Sequence, residues 1–271
     1  MNAGLRSRVE GGTVPPTMSR LTYVWLLLAA VTLRAEVPRP LQDALQKLAQ
    51  DTDRWAYTQT IVEKDGDGKT KRTTVVRYDP SRPYAEQFVP LKIDGKEPNR
   101  SELGKYRSQG EKRGSRIERE EREGPDPKRK TVGELMDLDR ATVAEENATS
   151  ITYTVPLKKE GNNRFPPDKF LVTARVSKER GAFENVAVKL RAPIRQMLVF
   201  NIKSGEGSID FAPVDPKYAP PMTEVRGGGS GSILFVSIGR HYELKREEFK
   251  RVKPFGDRFE VKIGPLKAID F

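Results

Sequence analysis

Few residues of this chain carry the chemistry of catalysis. Cysteine is absent, which excludes disulfides, thiolate metal sites and a cysteine nucleophile together. His241 is the only histidine and stands at a strand end beside Tyr242, so metal sites and a Ser-His-Asp arrangement have little to draw on. Its expected role is structural. Glu118, Glu120, Glu121 and Glu123 are interleaved with Arg116, Arg119 and Arg122. Carboxylates act as acid and base only where burial drives their pKa values apart, and this is the most polar stretch of the chain. It reads as a solvated face. The run Gly227 to Gly231 invites a phosphate-loop reading, but a dinucleotide site needs a strand before it and a helix after it. The following Ile233-Leu234-Phe235-Val236 is strand-like, so a hairpin turn is expected at the glycines. No cofactor motif remains, and no enzyme is expected.

The strands offer a bulky apolar face instead. Its members are Trp55, Tyr57 and Ile61, then Val75 and Phe88, then Tyr153, Phe170 and Val172, and finally Phe200 and Phe235. Such stripes are ordinarily a core filled by covering helices. Filled incompletely, they leave an apolar groove for an acyl chain or apolar peptide. These ten residues are the candidate ligand-binding set.

The elements that would position them centre on residues 54–95. Trp55, Tyr57, Gln59 and Ile61 alternate with Ala56, Thr58, Thr60 and Val62, a period-2 run rich in aromatic and β-branched residues. Asp65-Gly66-Asp67-Gly68 supplies a tight turn. A second strand runs Thr73 to Tyr78 and closes at Asp79-Pro80-Ser81, and a third runs Tyr84 to Ile93. Ahead of them, Leu41, Ala44, Leu45, Leu48 and Ala49 recur at helical spacing and predict a helix over Pro40 to Asp51. Its apolar stripe is expected to bury on the concave sheet.

A helix is expected to start near Pro98 to Leu103. Residues 111–130 read as a solvated helix end and then a mobile loop broken at Gly124-Pro125. A short helix at Thr131 to Met136 would dock through Leu135, Met136 and Leu138. Strand patterns then fill Ala141–Glu146, Ser150–Leu157, Lys169–Lys178, Phe183–Arg191, Met197–Ala212, Met222–Gly227 and Ser232–Glu243, with one more at Arg258–Ile263. With no βαβ alternation, the fold class expected is mainly β with a few helices (α+β). It would be a curved antiparallel sheet, an open half-barrel covered by short helices.

The 271 residues carry a net charge of +11, and charged residues make up 32% of them. A balance that basic suits anionic partners such as an envelope surface. The basic residues are scattered over strand edges and loops and no stacking motif accompanies them, so nucleic acid is not an expected partner. Leu21 to Leu33, behind Arg20, is apolar but too short to span a bilayer, matching the h-region of a secretory signal peptide. Residues 1–35 are therefore read as a leader, with Met18 as an alternative start and Ala35-Glu36 as the cleavage point, although Leu33 is not the small residue usual at −3. The domain expected runs 36–245 with a charged insertion at 111–130, and 246–271 form a C-terminal extension. Cysteine-free export points to the periplasm or secretion from a bacterium.

The stretch RWAYTQTIVEKDG, with Arg77-Tyr78-Asp79-Pro80-Ser81 and Asp94-Gly95-Lys96-Glu97-Pro98, the helix before it and the meander after it, resembles the LolA/LolB-like superfamily of periplasmic lipoprotein carriers. The resemblance implies an open half-barrel lidded by helices, with a cavity for acyl chains and an acyl chain, lipid or lipoprotein as partner. The charged insertion and the C-terminal extension depart from the carriers. The resulting expectation is an exported lipid or lipoprotein binder. Its alternative is an envelope interaction or sensor module whose basic surface docks on a polyanion or protein.

Overall fold

Leu41, Ala44, Leu45 and Leu48 recur every three or four residues, which places them on one side of helix α1 (Arg39–Asp51). Leu41 and Ala44 are almost fully buried and belong to the main apolar cluster. The helix carries no acidic residue in its first turn and no basic one in its last. Thirteen residues are marginal alone, so the helix owes its existence to the sheet beneath it. The structure is a computed structural model describing residues 36–51, 54–124, 132–159, 166–196, 200–233 and 236–258. The chain divides into two compact units, 1–35 and 36–271, and all elements below belong to the second.

The fold is mainly β. Its strands are β1 (Trp55–Asp65), β2 (Thr70–Tyr78), β3 (Phe88–Ile93), β4 (Thr142–Glu146), β5 (Ser150–Thr154), β6 (Phe170–Ser177), β7 (Ala182–Leu190), β8 (Ile194–Gln196), β9 (Phe200–Phe211), β10 (Met222–Ile233) and β11 (Val236–Arg251). They form one antiparallel sheet in the order β3-β2-β1-β11-β10-β9-β7-β6-β5-β4, with β8 paired to β9. The sheet is open, since β3 and β4 are its two ends. Helix α2 (Arg100–Glu123) packs on β3 and on the turn at Tyr84–Glu86. One-turn helix α3 (Val132–Leu135) leads into β4.

Register explains why one face is apolar. Residues paired across antiparallel strands point to the same side. One such row runs Thr74, Ile61, Leu244, Val225, Ile209, Val186, Ala174, Tyr153, Val143, from β2 to β4. The adjacent row, facing the other way, reads Lys92, Val75, Thr60, Lys245, Glu224, Asp210, Asn185, Arg175, Thr152. All but Val75 in that row are polar. On this outer face Asp210 accepts hydrogen bonds from Asn185 and Arg226, each at 2.6 Å. The inner face holds the core, with α1 packed over β6 and β7.

Several expectations change. The glycines 227–231 are not a turn: they lie inside β10, each paired on both sides. Glycine permits this because neighbouring backbones and rings occupy the space a side chain would need, as where Tyr242 crosses Gly227. The third strand starts at Phe88 rather than Tyr84, since Tyr84–Glu86 form a 3-10 turn whose face meets α2. Gly110 and Gly114 are the two buried residues of α2, and a methyl at Gly110 would run into the Tyr84 carbonyl. The helix begins in a capping box, with Glu102 N donating to Asn99 and Asn99 N donating to Glu102. It ends at Gly124 with φ 86°, close to the break expected there. The loop expected next, at 125–130, lies outside the described residues. The strand expected at Ser150–Leu157 stops at Thr154, and Leu157 instead bridges to Met136. The long strand expected over Met197–Ala212 starts at Phe200, after the separate β8. Finally, β11 passes Glu243 and continues to Arg251, so residues 246–251, expected in an extension, belong to the sheet. Gly256–Arg258 form a 3-10 turn, and the rest of the strand expected at Arg258–Ile263 lies outside the described residues.

Candidate functional site: an apolar hollow beneath helix α1

Between α1 and the inner face lies a cavity of about 280 Å³. Leu45 and Leu48 of α1 line it from one side, Val186 and Ile209 of the inner row from another, and Trp55 and Tyr57 of β1 from a third. Met136 and Leu138, which follow α3, and the segment Ala219 to Met222 that leads into β10 also line it. The volume is about twice that of an apolar cavity of ~150 Å³ that admits benzene. It lies just below the range of roughly 300 Å³ and upward typical of small-molecule sites.

The β1 side of the cavity is aromatic. Trp55 and Tyr57 meet Phe249 at 6.1 and 5.7 Å between ring centres, and Tyr57 stacks obliquely on Tyr78 at 4.9 Å. Phe249 reaches this face because β11 bulges opposite Tyr57: the pairing with β1 shifts between Ala56 and Thr58, and Glu248 takes φ 55°. Glu248 stays outside, where its carboxylate accepts a hydrogen bond from the Thr58 hydroxyl at 2.6 Å. The extra residue puts Arg246 and Phe249 on the same side despite their odd separation.

Besides the Tyr57 hydroxyl, two polar side-chain groups belong to this lining. The indole nitrogen of Trp55, a residue only 3% exposed, is buried and has no hydrogen-bond partner. Arg246 lies over the Tyr57 ring at 4.3 Å, its Nε is buried without a partner, and among the described residues no carboxylate lies within ion-pair distance. Burial lowers its pKa, partly offset by Tyr57 and Tyr78. Guanidinium pKa values lie so high that Arg246 stays charged near neutrality.

The candidate ligand-binding residues separate accordingly. Trp55 and Tyr57 line the cavity. Tyr153 and Val172 lie in the core cluster beneath α1, buried but not lining the hollow. Ile61 belongs to the inner row, beyond the cavity. Phe170 is half-buried at the start of β6. Phe88 packs on Tyr78 at 4.5 Å and lines a different hollow. Val75 is corrected: it pairs with Thr60 and Lys92 on the outer row, because its neighbours Thr74 and Val76 take the inward positions. Phe200 begins β9, but its side chain, like the whole of Phe235, lies outside the described residues. The cavity residues outside that candidate set include Val186, Ile209, Phe183 and Phe211 on the strands, and also Arg246, Phe249 and the Ala219 to Met222 segment. The apolar Phe249 and Leu244 within a charged run were the available signal.

The second hollow, about 770 Å³, is wider and more polar. It lies between β3 and α2 and contains Arg77, Arg82, Arg100 and Arg107. Three of these already face carboxylates: Arg77 with Glu248, Arg82 with Asp79 and Arg107 with Glu86, at 3.8 to 4.0 Å. These are loose pairs with exposed members.

His241 is exposed on β11, between β1 and β10 rather than at an edge, and pairs with Lys64 and Gly228. On α2, Glu118, Glu121 and Glu123 are exposed, and Arg116 and Glu120 form a half-buried pair at 3.9 Å. Among the described residues no group of histidine and carboxylate side chains is placed to hold a metal ion, and no helix is long and apolar enough to cross a membrane. Comparison of the chain with protein-family models, with curated proteins and with solved structures gives no match.

Proposed function

We propose that this protein is an exported, non-enzymatic binder or carrier of an acyl chain or similar apolar ligand, which it holds between α1 and the inner face of the sheet. The LolA/LolB-like resemblance and a periplasmic location are parts of the same proposal. The observation that carries it is the cavity itself, enclosed by Leu45, Leu48, Val186, Ile209, Trp55 and Tyr57. Burying a methylene is worth ~0.8 kcal/mol, so a chain segment placed there is held without covalent chemistry. The cover is a helix of marginal intrinsic stability, attached by its apolar stripe and by a hydrogen bond from Lys47 Nζ to the Arg180 carbonyl at 2.6 Å. Displacing α1 would open the hollow for loading and release.

The test is native mass spectrometry and solvent extraction of the purified protein, with Val186→Trp as the blocked variant. The wild type should carry or take up an acyl species. Val186→Trp should lose it while keeping the wild-type circular dichroism spectrum. A wild-type protein that takes up no acyl species under any loading condition would refute the proposal.

A further inference from the structure

Arg246 and Trp55 pose a problem that an apolar ligand alone does not solve. Together they bring only hydrogen-bond donors to the cavity: a guanidinium has five N–H groups and no acceptor, and an indole has one donor and no acceptor. Trp55 is nine-tenths and more buried with its nitrogen unpartnered, and Arg246 has a buried, unpartnered Nε. Burial of an unpaired charge is costly, and protein interiors compensate by pairing it. The carboxylates of the surrounding strands point elsewhere. Glu247 and Glu248 face outward beside Thr58, and Glu248 is taken up by Thr58 and Arg77. The Tyr57 ring below the guanidinium gives a cation–π contact, which leaves the buried Nε–H unmatched.

We infer that the cavity takes a single-chain amphiphile with an anionic head, a free fatty acid, whose carboxylate is bound by Arg246 and the Trp55 indole N–H and whose chain runs along Leu45, Leu48, Val186 and Ile209. The inference rests on the proposal above and adds the headgroup chemistry and its orientation, head toward β1 and β11 and tail toward α1. The planar fork of a guanidinium matches a carboxylate in two parallel hydrogen bonds. The geometry is also selective. A lipoprotein's acyl group is linked as an ester or amide and brings no charge to Arg246. A volume of about 280 Å³ suits one chain of moderate length rather than two.

Decanoate, 1-decanol and a short two-chain phospholipid, dihexanoylphosphatidylglycerol, are the probes, measured by titration calorimetry on the full chain and on Arg246→Met. The expected result is decanoate binding to the wild type at least ten- to a hundred-fold more tightly than decanol, the range set by a charge-assisted hydrogen bond. Arg246→Met should abolish that preference while still binding decanol. If Arg246→Met does not fold, the wild-type preference and its loss in Trp55→Phe together with Arg246→Gln decide the question. Equal binding of decanoate and decanol to the wild type would overturn the headgroup assignment and leave the apolar-ligand proposal standing. Tighter binding of the phospholipid than of decanoate would overturn the single-chain assignment. Failure of the wild type to bind any of the three would sink both inferences.

Discussion

The part of the sheet beneath α1 and the arm formed by the far ends of β9, β10 and β11 share one continuous backbone and are held together differently. Beneath α1, Val172, Ala174, Val176 and Phe183 are almost fully buried, and the helix exists because it covers them. In the arm, Gly229 pairs with Gly205 and Gly227 with Gly207, while Ser204 and Ser230 share a hydroxyl contact at 2.8 Å. At these glycines no side chain is available to pack, so the ladder of backbone hydrogen bonds, each worth a net ~1 kcal/mol, and close approach of the chains carry the structure. The lesson is that a glycine run can be strand where strands on both sides supply partners. The hydrophobic signal that identifies strands elsewhere is then missing.

The widest gap between the two regions is expected from core truncation. Leu41→Ala should lower stability by about 2–5 kcal/mol, because Leu41 is 1% exposed beneath the helix. Ile202→Ala in the arm should change it by no more than ~0.5 kcal/mol, because Ile202 is 42% exposed. Urea denaturation of the two variants decides the matter, and equal losses would break the distinction.

Backbone closeness should matter more in the arm. A methyl at Gly239 would lie 2.6 Å from Gly66 Cα, where the β1–β2 turn meets β11. Gly239→Ala should therefore cost about 1–3 kcal/mol, measured in the same way. A variant as stable as the wild type would mean that the two hairpins do not approach each other.

The smallest effect concerns two carboxylates that flank β2, Asp65 at the end of β1 and Asp79 just after β2. At the arm end, a hydrogen bond from Lys71 is the main cause of a lowered Asp65 pKa, with the amides of Lys69 and Asp67 assisting and burial opposing. At the covered end, burial pushes Asp79 upward, but the Ser81 hydroxyl and amide, with Arg82 and Arg77, outweigh it and leave the pKa lowered. A carboxyl with a depressed folded pKa stabilises the fold above its unfolded value of about 3.9, and loses that contribution as pH falls through the folded value. Thermal melts between pH 7 and pH 2 should therefore show Tm falling below about pH 4, with Asp79→Asn showing a shallower fall. A Tm that rises over that acid range would contradict the assignment.

Legibility followed the same division. Helix α1 could be read because its spacing, its length and the position of its stripe all agree with burial on the sheet. Strands β1 and β2 could be read from alternation, yet alternation alone did not choose between adjacent Val75 and Val76. Register chose: Val76 is fully buried beside Gln59, and Val75 joins the outer row. Trp55 and Tyr57 were visible as site residues because aromatics at period two face one side. Arg246 and Phe249 were not. They sit in Lys245-Arg246-Glu247-Glu248-Phe249-Lys250-Arg251, whose charges resemble a solvated tail and whose inward positions do not follow a period of two. The edge strand β4 was read from its strand pattern alone, and the structure shows what protects it. All five of its residues are exposed, and Glu145 and Glu146 provide the charge that guards an open edge.

Glu248 has a consequence for how this protein can change. It acts as a spare character in an otherwise regular line of text, so the letters after it keep their meaning only when it is skipped. Shortening β11 by that one residue should leave Arg246 and Phe249 reading inward and merely straighten the strand. The interior wording and the exterior spelling of this strand are thus separable, and its surface is free to drift without rewriting what lies within.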